Sequence, residues 1–414
     1  MKVLLINPNR YKSPPVPPIG LEYIAACLEH KGNASSIVDL TFSEEIYKDI
    51  DEAIGSFTPD IVGVTVRNID AVLYHTNEFF LDEIKDIVAY IKSKYGLKVI
   101  IGGSGVSVNP EATREYLAAD CAIVGPAENI INEVLNTMES TINFGRVIQG
   151  TFPTETPCSR RAELVDYKKY CDEGGVAGFE THKGCSSSCV YCLEAKTHVS
   201  FKRIEDVIEE IRVLVEMGHD HFHLCDSEFN ERLDFSLKFC SALKKSGIPM
   251  KWAVYLKPVN SSEDLMRLLK DTGVYLITLS VDSWKRSPEY LSNVEQIIST
   301  AKPFGIKLAV DFLTGFPYED DDTVLRWLDL FRKVKPDTVG INTYIRLYKS
   351  LRLTDVILKD MQLKTNLLGD TRDKTFIKPV FYNHIPKENL AQLIDGDPLF
   401  RIDGVERGVN YSRL

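Results

Sequence analysis

Cys185, Cys189 and Cys192 fall within eight positions, in the run Gly184-Cys185-Ser186-Ser187-Ser188-Cys189-Val190-Tyr191-Cys192. This C-x-x-x-C-x-x-C spacing brings three thiolates onto one short loop. Soft thiolates suit an iron–sulfur cluster. Such clusters normally take four protein ligands, so three leave one iron open to a chelating small molecule. A structural zinc site with His182 as fourth ligand is the competing reading, but its spacing is unusual and no second half of a finger follows. The other six cysteines, Cys27, Cys121, Cys158, Cys171, Cys225 and Cys240, are scattered. In a reducing compartment they read as small buried hydrophobes.

Two sets of elements must position that loop. From Met1 to Met138, apolar runs typical of strands buried on both faces alternate with amphipathic stretches. Strands are expected at Val3–Ile6, Ile37–Val38, Ile61–Thr65, Lys98–Ile101 and Cys121–Val124, with helices at Ile19–His30, Phe79–Tyr95 and Asn129–Met138. The alternation specifies an α/β fold, a doubly wound, Rossmann-like parallel sheet. Residues 143–177 hold prolines, glycines and mixed charge without a sustained period and read as a connector. After the cysteines, strands recur at His221–Cys225, Trp252–Leu256, Tyr275–Val281, Lys307–Leu313 and Val339–Tyr344. With the strand before Cys185 that makes six, separated by helices such as Arg203–Met217, Ser262–Asp271 and Asp321–Val334. A barrel of this type carries its site at the carboxyl ends of its strands. Asp226, Glu228, Lys257, Ser280, Asp282, Gly315 and Arg346 collect there. His221 and His223 share a strand face and read as hydrogen-bonded histidines, and Cys225 as packing.

The cysteine spacing, with aromatic Tyr191 before the third cysteine, resembles the signature of radical SAM enzymes. That resemblance implies a [4Fe-4S] cluster on Cys185, Cys189 and Cys192, with S-adenosylmethionine chelating the open iron. It implies a partial (β/α)6 radical SAM barrel over 178–346, followed by a C-terminal α+β extension over 347–414 on the substrate side. Asp226, Ser227 and Glu228 lie where the methionyl amine is bound, and Ser280 and Asp282 where the ribose or carboxylate is held. Gly315-Phe316-Pro317-Tyr318-Glu319 looks like the turn packed near the adenine. Tyr191, Lys257 and Arg346 complete the implied cofactor set.

Residues 1–142 in turn resemble the cobalamin-binding domain that precedes many radical SAM barrels. Val3-Leu4-Leu5-Ile6-Asn7-Pro8, Pro17-Pro18-Ile19-Gly20-Leu21-Glu22-Tyr23, Pro59-Asp60-Ile61-Val62-Gly63-Val64 and Ile101-Gly102-Gly103 carry that likeness. Ligands of open parallel sheets sit beyond the carboxyl ends of the strands, and glycine there allows close backbone approach. The implied cobalamin residues are Pro8, Asn9, Arg10, Thr65, Arg67, Gly102, Gly103, Ser104, Gly125 and Glu128. The chain departs from the family in two places: Gly125-Pro126-Ala127-Glu128 replaces Gly-Glu-Gly-Glu, and there is no Asp-x-His-x-x-Gly to supply an imidazole to cobalt. No G-x-G-x-x-G follows the first strand, which disfavours a nicotinamide cofactor.

The chain has 414 residues, 44% hydrophobic and 26% charged, with 49 basic against 59 acidic side chains and a net charge of −10. Phosphate backbones are bound by neutralising them, so nucleic acid is not the expected partner, nor is a membrane. The apolar run at Met1–Ile6 is too short for a signal peptide, and a cytoplasmic location is expected. The resemblance therefore implies cobalamin-dependent methylation of an unactivated carbon of a small molecule or peptide, with a flavodoxin or ferredoxin as electron donor. Two alternatives stand beside it: a cobalamin-independent radical SAM enzyme that cyclises, rearranges or transfers a fragment of S-adenosylmethionine, and a non-catalytic zinc or redox regulator.

Overall fold

The computed structural model describes residues 1–12, 14–140, 145–151, 159–259 and 261–402. The N-terminal unit runs β1 (Lys2–Asn7), α1 (Ile19–His30), β2 (Ala34–Asp39), α2 (Ile46–Phe57), β3 (Ile61–Thr65), α3 (Leu81–Tyr95), β4 (Lys98–Gly102), α4 (Pro110–Tyr116), β5 (Cys121–Val124), α5 (Ile131–Ser140) and β6 (Arg146–Gln149). Its sheet is parallel in the order β2-β1-β3-β4-β5-β6. Strand side chains alternate between faces, and β1 shows why both faces need cover. Leu4 and Ile6 join Val62, Val64, Val99 and Ile101 beneath α2 and α3, whereas Val3 and Leu5 join Ile61, Ile100 and Ile123 beneath α1 and α5. This is the doubly wound arrangement that the apolar runs dictate. The stretch read as a connector contributes β6, which pairs with β5 along Cys121–Val124. Cys158 lies outside the described residues.

The second unit opens with α6 (Tyr167–Asp172), β7 (Ala177–Phe179), β8 (His182–Lys183), β9 (Ser200–Phe201), α7 (Ile204–Glu216), β10 (His221–Leu224) and α8 (Leu233–Ser246). It continues through β11 (Lys251–Leu256), α9 (Glu263–Asp271), β12 (Val274–Asp282), α10 (Pro288–Ala301), β13 (Lys307–Leu313), α11 (Asp321–Val334) and β14 (Thr338–Asn342). Then follow β15 (Ile345–Arg346), α12 (Arg352–Lys359), α13 (Met361–Lys364), β16 (Leu367–Gly369), β17 (Val380–Tyr382), α14 (Lys387–Ile394) and β18 (Phe400–Ile402).

The six expected barrel strands form one parallel sheet, β14-β13-β12-β11-β10-β7, and β18 adds a seventh beside β14. Alternation again sorts the side chains. Val254, Leu256, Ile277, Leu279, Val310 and Phe312 face the helices in the main core. Ala253, Leu276 and Ala309 fill the floor of the inner face. Higher on that face, the chain carries polar groups instead. β15, β17 and β16 make a small antiparallel sheet. A separate apolar cluster of Phe316, Leu347, Leu353, Val380 and Tyr382 packs with it. Arg401 is half-buried on β18, and residues 403–414 lie outside the described residues. Among the described residues no helix is long and apolar enough to cross a membrane.

The two units are joined by buried charge. Arg346 and Asp70, 276 residues apart, pair at 2.9 Å with both side chains 1% exposed. The guanidinium also donates to the carbonyls of Leu347, Phe376 and Ile377. Removing one partner of a buried pair leaves an uncompensated charge. Arg346→Met is therefore expected to destabilise the cofactor-free protein by about 3–5 kcal/mol, read as a lower urea midpoint. The double change with Asp70→Asn should cost less than the sum of the single changes.

Candidate active site

The cysteine loop lies between β8 and β9, which pair antiparallel through His182 and Phe201. Gly184 opens it with φ of 89°, and a Cβ there would sit 1.9 Å from the carbonyl oxygen of His198. Only glycine fits that approach. The loop makes few ladder bonds, so side chains hold it. Thr197 Oγ1 accepts from the Cys185 amide at 2.9 Å, and Glu231 accepts from the Ser186 amide at 3.1 Å and from Ser186 Oγ at 2.5 Å. Lys257 Nζ reaches Glu231 at 2.9 Å and Ser186 Oγ at 3.3 Å. Tyr191 OH donates to Asp282 Oδ1 at 2.5 Å, and its ring rests on Phe316.

Burial raises all three thiols above the usual value, Cys189 to about 12. Metal binding must then release their protons. The donor set fits an iron–sulfur cluster: three thiols on one loop, with apolar cover from Val190, Tyr191 and Phe316. His182, the fourth ligand of the zinc alternative, instead faces Asp226 at 3.0 Å with its side chain fully buried. Among the described residues, no three His, Cys, Asp or Glu side chains converge on a single ion.

The strand-end residues divide into two groups. Glu228, Lys257, Ser280 and Asp282 gather beside the loop. Burial pushes the Glu228 carboxyl up to about 8, against the pull of Ser280 and Lys257, and its Oε2 is buried with no hydrogen-bond partner. A carboxyl there is a protonated acid at neutral pH, able to donate to a ligand in the lumen. The second group serves the protein's own backbone. Asp226, expected at the methionyl amine, accepts from the Thr181 amide at 2.7 Å, Thr181 Oγ1 at 2.5 Å and the His182 amide at 3.3 Å. It anchors the cysteine loop.

Glu319 accepts from Thr314 Oγ1 and the amides of Gly315 and Phe316 at 2.6–3.0 Å; it shapes the turn holding Gly315 and Pro317, leaving Oε1 buried and unpartnered. Ser227 Oγ donates to Glu194 at 2.6 Å. Arg346, expected at S-adenosylmethionine, pairs with Asp70 and donates to three backbone carbonyls. Glu231 and Lys285 were not singled out from sequence. Each stands three residues beyond a residue that was, Glu228 and Asp282, and that spacing is the signal that could have found them.

At the carboxyl edge of the N-terminal sheet, Pro8, Asn9, Arg10, Thr65 and Arg67 line one cleft of about 120 Å³, with Tyr11, Asn68, Glu78, Phe80 and Glu83. Asn9 Nδ2 is buried there with no partner, and Arg10 pairs with Glu83 at 3.0 Å. Gly103, with φ of 101°, lies so close to Val66 that a Cβ would meet its carbonyl oxygen at 2.7 Å; at Gly102 beside it a Cβ would meet the Ile123 carbonyl oxygen at 3.9 Å. Ser104 Oγ donates to the Arg67 carbonyl at 2.6 Å, and Gly125 turns the chain after β5 with φ of 76°. The orphaned Asn9 amide offers a hydrogen-bond donor to a cofactor such as cobalamin at this edge. Glu128 is buried and pairs with Lys183 at 2.9 Å, two residues before Cys185.

Burial chiefly lowers His223 on the barrel wall to about 4. His223 meets Tyr255 edge-on at 5.6 Å. Tyr74, from the segment after β3, stacks on Tyr344 beyond β14 at 4.6 Å. Of the cysteines read as buried packing, Cys27, Cys121 and Cys240 are so; Cys171 is exposed beside His219, and Cys225 is exposed.

This is the architecture of a cobalamin-binding sheet set over a radical SAM barrel. Family models agree: residues 13–135 match the B12 binding domain and 179–331 the radical SAM superfamily. The chain is a radical SAM enzyme with an N-terminal cobalamin-binding domain, and those domains define its cofactors as a [4Fe-4S] cluster, S-adenosylmethionine and cobalamin. It is similar to a tryptophan 2-C-methyltransferase of Streptomyces laurentii, 23% identical with 83% of this chain and 72% of that one covered. An uncharacterized methyltransferase of Pyrococcus horikoshii is 24% identical over 95% and 91%. Among solved structures, the radical S-adenosylmethionine methyltransferase TsrM of Kitasatospora setae, described with tryptophan substrate and a SAM analog bound, aligns with a TM-score of 0.87 at 22% identity, covering 99% and 93%.

A carboxyl whose folded pKa lies above its unfolded value contributes stability that fades as pH rises through that interval. For Glu228 the interval runs from 4.5 to about 8. Glu228→Gln is expected to hold the melting temperature of the cofactor-free protein at pH 8.5 above that of the parent by several degrees, with little difference at pH 5.

Proposed function

We propose that the chain is a cobalamin-dependent radical SAM methyltransferase that places a methyl group on an unactivated carbon of a small molecule or peptide. The observation that carries this reading is the joining, in one chain, of a B12 binding domain and a radical SAM barrel with its three-cysteine loop, held together by the buried Arg346–Asp70 pair. The tryptophan bound by the similar TsrM supports an amino-acid-like substrate for that barrel's lumen. When bound, the cluster and S-adenosylmethionine supply a carbon-centred radical and cobalamin carries the methyl group, chemistry that no side chain provides.

The chain's own groups bind, orient and exclude water. Asp226, Glu231 and Lys257 fix the cysteine loop from below. Protonated Glu228, with Ser280, offers hydrogen bonds to the methionyl end of S-adenosylmethionine. Glu319 sets the turn of Gly315 and Pro317 against the adenine side. Neutral His223 and Tyr255 line the wall where a substrate carbon would sit. On this reading the unit boundaries are 1–142, 143–177, 178–346 and 347–414. The electron comes from a flavodoxin or ferredoxin, and the protein works in the cytoplasm.

The cobalamin-independent reading draws on one observation: His75 of the N-terminal unit is packed against Tyr74 and Tyr344, and among the described residues no imidazole is placed as the cobalt ligand of methionine-synthase-like domains. Gly102 decides between the two, because a side chain there meets only a carbonyl oxygen 3.9 Å away. Gly102→Phe should abolish retention of hydroxocobalamin on gel filtration and stop methyl transfer, while iron content stays unchanged. If the parent protein retains no cobalamin and turns over equally without it, the cobalamin-independent reading holds. Alanine at Cys185, Cys189 or Cys192 should remove the cluster absorbance and all cleavage of S-adenosylmethionine, with the circular dichroism spectrum preserved. Normal cleavage by any of the three variants would overturn the ligand assignment.

A further inference from the structure

Asp282 and Lys285 make an arrangement around one cysteine that the reading above does not use. Lys285 Nζ lies 3.4 Å from Cys189 Sγ and 2.7 Å from Asp282 Oδ2. Asp282 Oδ2 is itself 3.5 Å from the same sulfur, and Asp282 is 4% exposed. The neighbouring loops are held as well. Tyr191, two residues beyond Cys189, donates to Asp282, and the Tyr290 hydroxyl accepts from the Asp282 amide at 3.1 Å. The Lys285 ammonium lies over the rings of Trp284 and Tyr290 at 5.5 Å. One ligand sulfur is therefore in contact with a cation, paired at 2.7 Å to a buried anion, and with that anion itself.

We infer that Lys285 and Asp282 set the reduction potential of the cluster in opposite directions through Cys189. The inference rests on the reading that the three cysteines hold a [4Fe-4S] cluster. Reduction adds one negative charge to the cluster, passing it from the 2+ to the 1+ state. Hydrogen bonds to cluster sulfurs and the net charge around them tune that step. An ammonium donating to Cys189 Sγ stabilises the added electron, and a carboxylate at the same sulfur opposes it. In a partly buried site both charges act through an effective dielectric well below that of water. Lys285 is thus a positioning residue acting through Cys189, one that makes electron entry easier; Asp282 fixes Lys285 in place and limits the effect.

The test uses the full chain, reconstituted anaerobically with iron and sulfide and without S-adenosylmethionine. Dithionite gives one electron per cluster and is itself oxidised, with redox mediators fixing the ambient potential and the reduced cluster read by electron paramagnetic resonance. Lys285→Gln is expected to keep its iron and sulfide content and to lower the reduced-to-oxidised ratio at a given potential about tenfold. Lys285→Arg should restore most of it. Asp282→Asn should move the ratio the other way.

A purely structural role would move both substitutions in one direction or change iron content alone. Equal ratios in parent and Lys285→Gln, or shifts of the same sign in Lys285→Gln and Asp282→Asn, would overturn the inference. Should Lys285→Gln fail to take up iron, Asp282→Asn decides alone: a rise supports the inference, and an unchanged or lower ratio overturns it. Absence of any cluster in the parent protein would instead overturn the cluster reading itself.

Discussion

A loop that presents three thiols cannot also satisfy itself with ladder hydrogen bonds, and burying thiols beneath aromatic rings raises the cost of ionising them. The carboxylate of Asp226 resolves the first difficulty. Fully enclosed, it gathers two amides, a hydroxyl and an imidazole from Thr181 and His182, fixing the chain just before the first cysteine. Hydrogen bonds to a charged acceptor are the strong ones, and a buried carboxylate with four donors has little reason to move. Glu231 repeats the device one step further along the loop. The burial that raises the thiols is the same dry environment in which weak charges act strongly, and for that reason groups touching Cys189 carry weight.

The lumen is built by subtraction. Strand alternation sends Val254, Ile277, Val310 and their neighbours outward into the core, and small Ala253 and Ala309 with Leu276 close the floor. Space remains above for polar side chains that the helices never see. Glu228 and His223 both end up in their neutral forms there, for one reason: neither is given enough opposite charge to offset its burial. Glu180 shows the contrast. It too is buried, yet Lys183 and Lys202 outweigh that burial and hold it down to about 2.

Much of this was legible before any coordinate. Ile19–His30, Asp321–Val334 and Lys307–Leu313 appear with the expected bounds, because their apolar spacing matches a single period and their ends carry caps or turn residues. The segment Ile46–Phe57 escaped the reading; it buries only Ile50 and Ile54, too thin a stripe to stand out. The cysteine loop, the two units and the polar strand ends were readable from residue type and spacing. Which way each polar end turns was not. Asp226 and Glu228 sit two apart, and one serves backbone amides while the other faces the lumen. Arg346, expected at S-adenosylmethionine, has Asp70, 276 positions earlier, beside it. Spacing reports local geometry, and the partner in each case comes from a distant part of the chain.

The charges that knit the two units together carry a consequence for their independence. Arg346 on one side meets Asp70 on the other, Arg160 meets Glu22 at 2.8 Å and Tyr23 meets Glu210 at 2.6 Å, all away from water, and half-buried Lys183 meets Glu128. Cut apart, each half would display ions and hydroxyls shaped for a neighbour no longer there. Two folds found separately in nature are here wedded, and neither piece of this chain is a portable module.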